Sequence, residues 1–342
     1  MKEQVSVLGL GAAGSNIAQL FSELEYSTAV LNSSQEDLNV IKNVAHKIKI
    51  RNGEGASKNR QAILKLAAES IDEIIENITT VLKNQYIIVI FSAGGGTGSG
   101  LSTFICSYLT QVGKTVIPVV ILPDDTKESI RACENTYNLL AELNGVQGLG
   151  ATFLLDNSKH EDKFSINNKF VRDMDAFINI NNCSQMGNLD KSEIKTLLST
   201  PGVAVLSKQS KNKSTVADVI SGLRNGIYAD IESKTLMYLG ISTSNKSFLT
   251  TSLEKEFGVP YDTFIGYSEA TTVAILAGLQ LPVQRIKRFE DKVNSMSQIV
   301  KENLLTKNSI TFNALNTIIP TQPTNTQTPV TSNRDLLMQF MK

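Results

Sequence analysis

The sequence predicts an α/β protein: a Rossmann-like parallel-sheet domain, a central helix, a second α+β domain, and a C-terminal helix with a flexible tail. Three observations carry this. Through the first half, short β-branched runs alternate with glycine- or asparagine-rich turns and stretches of helical period. Every polar turn follows the carboxyl end of a strand, where open α/β sheets gather ligands. Near Ser165 the alternation gives way to mixed helices and strands, and after Lys307 to a Thr-, Asn-, Gln- and Pro-rich tail.

Taken in order, Val5 to Leu8 is a strand that leads into Gly9-Leu-Gly-Ala-Ala-Gly-Ser-Asn16 and a helix reaching about Leu24. Thr28 to Leu31 is a second strand, ending at Asn32-Ser-Ser34, and Lys47 to Ile50 a third, followed by Asn52-Gly-Glu-Gly-Ala-Ser57. Ala62 to Leu82 reads as one long amphipathic helix with Ile63, Leu66, Ala67, Ile71, Ile74, Ile75 and Ile78 on one face. Tyr86 to Phe91 is the purest buried-strand signal, running directly into a glycine loop and a helix at Leu101 to Gln111. Thr115 to Leu122 and Thr152 to Leu155 complete the parallel set. The boundaries that follow are 1–164 for the first domain, 165–189 for the central helix and the loop behind it, and 190–282 for the α+β domain. Residues 283–306 are then the C-terminal helix and 307–342 the tail. In the α+β part the best strands are Leu236 to Ser242 and Thr263 to Tyr267. The tail lacks the apolar content to offset its ordering entropy, except at its tip, where Leu336, Leu337, Phe340 and Met341 recur at one-turn spacing and suit a partner.

Composition removes several function classes. Thirty-three Lys plus Arg balance 33 Asp plus Glu, which excludes a nucleic-acid binder held by phosphate neutralisation alone. The two histidines, His46 and His160, and three cysteines, Cys106, Cys133 and Cys183, show no metal-ligand spacing, so no protein-built metal site is expected. No run approaches the ~20 apolar residues of a membrane span, and the cytoplasm is the expected location.

Two glycine loops carry the chemistry. Gly9-x-Gly11-x-x-Gly14 between strand and helix is a dinucleotide-binding pattern, in which backbone N–H groups meet phosphate. An NAD oxidoreductase would want an acid at the end of the second strand, and Asn32 stands there instead. In Gly94-Gly-Gly-Thr-Gly-Ser-Gly100, five glycines in seven positions at a helix start make little sense as packing, because each costs about 1 kcal/mol against alanine. Close backbone approach to a polyphosphate accounts for them. No lysine follows as in the Walker pattern, so amide dipoles, the Thr97 and Ser99 hydroxyls and a divalent cation must meet the phosphate charge.

GGGTGSG after a strand, with GxGxxGxN at the amino terminus, resembles the phosphate-binding pair of the tubulin and FtsZ superfamily of filament-forming GTPases. The resemblance implies GTP and GDP as ligands, with Mg2+. By it, Gly11, Ala12 and Asn16 and then Gly94, Gly95, Gly96, Thr97, Gly98 and Ser99 would hold the phosphates. Asn32, Gly55, Ala56 and Ser57 would lie near the sugar or terminal phosphate, with Lys58 as an added charge or a solvated surface lysine. Glu128 would face the ribose, and Asn157 with Asn168, or its neighbour Asn167, the guanine edge. Gly187-Asn188-Leu-Asp190-Lys-Ser-Glu193 resembles the family's N-x-D-x-x-D/E loop, implying that Asn188, Asp190 and Glu193 are catalytic in the pocket of the next subunit. On their own residues, Asp190 and Glu193 also suit a helix capping box.

By its departures the sequence resembles the branch of the family that partitions plasmid and phage DNA. The turn Leu122-Pro123-Asp-Asp-Thr-Lys-Glu128 lacks most of the division proteins' TKPF-like pattern, and their terminal peptide is missing. That branch implies a head-to-tail filament of the chain with itself and a DNA-binding adaptor at a centromere-like site. The adaptor would meet the helix near Arg285, Lys287 and Arg288 or the tail, with DNA touched only indirectly and no membrane contact. A division-type or other cytoskeletal GTPase, a non-hydrolysing filament protein and an NAD-binding oxidoreductase are the alternatives.

Overall fold

The run Tyr86–Ser92 forms a strand whose residues Ile87 to Phe91 are wholly buried, and a segment apolar on both faces belongs at the centre of a sheet covered by helices. It sits there in the computed structural model, which describes residues 1–181, 184–269, 271–306 and 332–341. The strands are β1 (Val5–Leu10), β2 (Ser27–Asn32), β3 (His46–Lys49), β4 (Tyr86–Ser92), β5 (Thr115–Leu122), β6 (Ala151–Asp156), β7 (Gly202–Ser210), β8 (Tyr238–Thr243), β9 (Asp262–Tyr267) and β10 (Thr271–Leu279). Among the described residues they form one ten-stranded sheet in the order β3-β2-β1-β4-β5-β6-β7-β10-β8-β9. All pairings are parallel except those of β10, which runs antiparallel to both β7 and β8. The sheet does not stop at residue 190, because β7 pairs with β6 through Ala151 and Gly202. β7 and β10, with the apolar runs Val203–Leu206 and Val273–Leu276, are the strands that carry it across.

The helices of the first half cover this sheet: α1 (Gly11–Glu23), α2 (Gln35–Val40), α3 (Arg60–Ala68), α4 (Ile71–Val81), α5 (Thr97–Gln111) and α6 (Ile130–Asn144). The single helix expected over 62–82 is two. α3 ends at Glu69, and Ser70, at φ −137°, starts α4 in a new direction. Ile71 stands one helical turn beyond Ala67, so the apolar spacing passes through the break without registering it.

α7 (Lys163–Ile178) leaves the carboxyl end of β6 and packs against α1, where Tyr26 Oη donates to Asp175 Oδ1 at 2.8 Å. α8 (Lys191–Ser199) follows it and returns the chain to the start of β7. The Leu198 carbonyl of α8 closes on Gly150, just before β6, and the charges of Lys191 and Lys195 add to burial in holding the Met1 amino group below its ordinary pKa, so α8 lies at the amino-end pole of the sheet. α9 (Val216–Arg224) and α10 (Thr251–Phe257) cover the second half.

α11 (Val283–Thr306) is anchored at its amino end. Glu232 accepts from the Gln284 and Arg285 amides, and the Arg285 guanidinium is buried against Asp156 (2.6 Å), Asp125 and the Pro123 carbonyl, over the Phe289 ring. Arg288 also bonds Asp125. The basic cluster expected to meet an adaptor is therefore largely committed inside the chain: of its three residues only Lys287 is exposed with no salt bridge among the described residues. Of the tail, 307–331 lie outside the described residues. Its tip is not a frayed end but a helix, α12 (Asn333–Gln339), packed against α3, α4 and α5.

Candidate functional site: a cleft at the carboxyl edge of the sheet

β1 and β4 are neighbours; β1 turns at its carboxyl end directly into α1, and β4 reaches α5 through the short loop Ala93-Gly-Gly-Gly96. Gly11 makes the first turn at φ +69°, and a Cβ on Gly14 would strike the Ile90 carbonyl, so α1 packs on β4 only with glycine there. Neither α1 nor α5 has a side-chain cap or an acid in its first turn. Their first amides are unfilled donors aimed at one place, with the positive ends of two helix dipoles behind them. A helix start left this way suits an anion.

The place is a cleft of ≈ 280 Å³. Gly11 and Ala12 from the first loop and Gly95, Gly96, Thr97 and Gly98 from the second line it, together with Asn32 and Gly55 to Lys58. Sequence reasoning missed Leu10, Ala13, Ser33, Asp37 and Ser92, which also face it. Ser33 follows Asn32 directly and was legible as part of the same turn. Nothing in the pattern points to Asp37, which reaches the cleft through the fold of α2. Asn32 is buried, its Oδ1 accepting from the Ser33 amide (2.7 Å) and its Nδ2 donating to Asp37 (3.0 Å). The Ser33 and Thr97 hydroxyls bond each other at 2.7 Å, joining the second and fourth strand ends.

The remaining residues stand differently. Ser99 is buried and its hydroxyl bonds the Gly95 carbonyl, and Gly94 is packed against Ala132, so both support the loop from behind and do not line the cleft. Glu128 does not line it either, because Lys58 (3.0 Å) and Lys163 (3.2 Å) hold its carboxylate. Lys58 is the cation at the cleft wall, and the Glu128 pairing makes it more than a solvated lysine. Asn16 is exposed on α1. The Asn157 Oδ1 is buried without a hydrogen-bond partner among the described residues. Asn168 is exposed, its Nδ2 donating to the Phe164 carbonyl (2.9 Å), while Phe164 itself is 67% exposed one turn earlier.

Asn188, Asp190 and Glu193 are not at the cleft. They lie at the start of α8, toward the amino end of β1, whereas the cleft opens at the carboxyl end. Six residues of strand separate the two poles by roughly 20 Å. The capping box is real: Asp190 accepts from the Ser192 (2.7 Å) and Glu193 (2.9 Å) amides, and Glu193 accepts from the Asp190 amide (2.8 Å). Asn188 Oδ1 accepts from the Ser184 amide at 2.8 Å.

A parallel sheet with unfilled helix starts and three glycine loops around one anion-binding cleft defines a nucleotide-hydrolysing domain, and residues 4–163 match the Tubulin/FtsZ family, GTPase domain. That part of the chain is a GTPase domain, and it binds GTP and GDP. The chain is similar to the tubulin-like protein TubZ of Clostridium botulinum C phage, with 24% identity over 327 residues, 93% of this chain and 89% of that one. The crystal structure of C. botulinum phage c-st TubZ shares the fold at TM-score 0.79 and 24% identity, covering 87% of this chain and 100% of the other. A GTPγS-form protofilament of Bacillus thuringiensis serovar israelensis TubZ shares it at TM-score 0.76 and 17% identity, covering 90% and 95%.

Proposed function

We propose that this chain polymerises head to tail with GTP, completes each hydrolytic site across the subunit junction, and uses the filament to segregate plasmid or phage DNA. The observation that carries the reading is the separation of the cleft from the Asp190 and Glu193 pair. Amides, glycines and hydroxyls can hold phosphates, but the one acid on the cleft wall, Asp37, is engaged by Asn32. A neighbour docked on the cleft brings Asp190 and Glu193 to the terminal phosphate, where they orient water and take its proton, and Asn188 steadies their loop. Such an interface is heterologous and does not close, so it builds a filament. The relatives' filaments support this, among them the B. thuringiensis protofilament.

On the base, the unpaired Asn157 oxygen is the natural acceptor. Leaving a buried acceptor unmade costs about 1–3 kcal/mol, which a guanine N–H recovers. Asn168 is the second amide, and the exposed Phe164 ring beside it offers a stacking face. Among the described residues no three His, Cys, Asp or Glu gather to hold a metal, so Mg2+ fits as a companion of the nucleotide. Phosphate oxygens and water would supply most of its ligands, with Thr97, Ser33 and Asp37 the nearest side chains. When bound, it neutralises phosphate charge. DNA is reached through an adaptor at a centromere-like site, with the tail as the element that meets it. No described helix is long and apolar enough to cross a membrane.

Phosphate release against protein concentration, with sedimentation alongside, tests the reading. Turnover per subunit should rise above a threshold concentration, prefer GTP over ATP, and coincide with pelleting. Equal turnover by dilute single subunits would sink it.

A further inference from the structure

The C-terminal tip is seated on its own GTPase domain. Leu336 and Leu337 are 3% and 0% exposed, and Phe340 and Met341 pack half-buried on the same core. Asn333 Nδ2 donates to Asp72 Oδ1 on α4 at 2.9 Å, and Ser332 caps the helix by accepting from the Asp335 amide. The receiving surface is a groove between α3, α4 and α5. Beside the helix it keeps an open space of ≈ 330 Å³, walled by Asp72, Tyr108, Gln111 and Val112. A cap, a hydrogen bond across the contact and two buried leucines are the marks of a fitted helix-in-groove site.

We infer that this groove is a specific receptor for the chain's own terminal helix, filled in cis, so that the tip is latched and becomes available to another partner only when released. The inference rests on this packing and not on the partition reading. Residues 307–331 tether the tip to α11, and a tethered ligand competes at an effective concentration on the order of mM. A free copy of the tip therefore meets a filled groove in the native chain and an empty one when the tip is expelled. A charge at Leu337, which is buried in the contact, expels the tip while every residue of the groove itself stays native.

The test is a fluorescent peptide of residues 332–342 titrated by anisotropy into full-length protein. Leu337→Asp, and independently Leu336→Asp, should bind it at least about tenfold more tightly than the native chain. Adding Val112→Glu to Leu337→Asp should abolish the gain. Across about a hundredfold dilution the native chain should go on excluding the peptide, since an intramolecular contact does not depend on concentration. The inference is overturned if the released variants bind no better than the native chain, or if Val112→Glu leaves the gain intact. Access that appears on dilution would also overturn it, by showing that a second copy fills the groove.

Discussion

Lys58 joins the cleft to the loop after β5. Its carbonyl accepts from Asn135 (2.9 Å), its ammonium holds Glu128, and its backbone is left-handed at φ 58°, directly after Ser57 at 44°. Two consecutive non-glycine residues in that region cost of the order of 1–3 kcal/mol each, and such strain persists where the surroundings hold it, often at a ligand wall. The hydrogen bond from Lys58, with Lys163 behind it, keeps the Glu128 carboxyl below the usual carboxylate range. With the folded value depressed, this contribution to stability is present above the unfolded value, about 4.3, and is lost as the pH falls through the folded one. Lys58→Met should raise the Glu128 titration toward the ordinary value in a carbon-13 NMR experiment and flatten the acid limb of the stability profile. An unmoved titration would assign the shift to Lys163. Asp173 shows the opposite sign. It is 4% exposed, and burial raises its pKa against the pull of Lys169 at 2.7 Å. A raised carboxylate helps only below its unfolded pKa and costs stability as the pH rises. Asp173→Asn keeps an acceptor for the Lys208 amide and should stabilise the protein at pH 7 by about 1 kcal/mol, a rise of a few degrees in Tm by calorimetry.

At the scale of elements, α11 is fastened by the buried Arg285 to both the β5 loop and the end of β6. Removing one partner of such a pair leaves the other uncompensated, and Asp156 is 1% exposed. Arg285→Met should cost about 3–5 kcal/mol in urea unfolding, and the double change with Asp156→Asn should recover a large part of it. Additive losses would show that the two do not act as a pair. The same helix marks the limit of reading a sequence by pattern. Arg285, Lys287 and Arg288 look like a solvated basic face, because nothing local reveals that the fold delivers Asp125 and Asp156 more than a hundred residues away. The glycine loops were legible because their backbone demands are local: a left-handed turn at Gly11, a Cβ-free approach at Gly14, and helix starts without caps. Ser99 was misjudged as a phosphate contact for the complementary reason, since residue type places a hydroxyl in the loop but not the direction it faces. The run of β10 is β-branched and apolar and so legible as a strand, but its antiparallel pairing with β7 and β8, which come from separate stretches of chain, is a tertiary fact.

For the molecule as a whole, the two ends of β1 define two poles, one that holds the glycine-lined cleft and one that carries Asp190 and Glu193. Their capping box complicates any test by alanine. Losing an N-cap acceptor costs about 1 kcal/mol of helix stability, so Asp190→Ala would damage α8 whatever else it did. Asparagine is as good an N-cap as aspartate, and glutamine can replace glutamate in the box, so Asp190→Asn and Glu193→Gln remove charge and basicity while keeping the helix start. If the pair serves only the fold, both variants hydrolyse GTP normally. If it completes a neighbour's cleft, GTP affinity and unfolding stability stay near native, since the variant's own cleft is untouched. Turnover in the assembled state then falls about 10²-fold or more, in line with the loss of a general base. If hydrolysis weakens the proposed head-to-tail junctions, polymers of either variant should also outlast native ones after GTP is exhausted, which light scattering follows directly. A variant that lost nucleotide binding would put the acids in their own subunit's pocket and refute the division of the site between two chains.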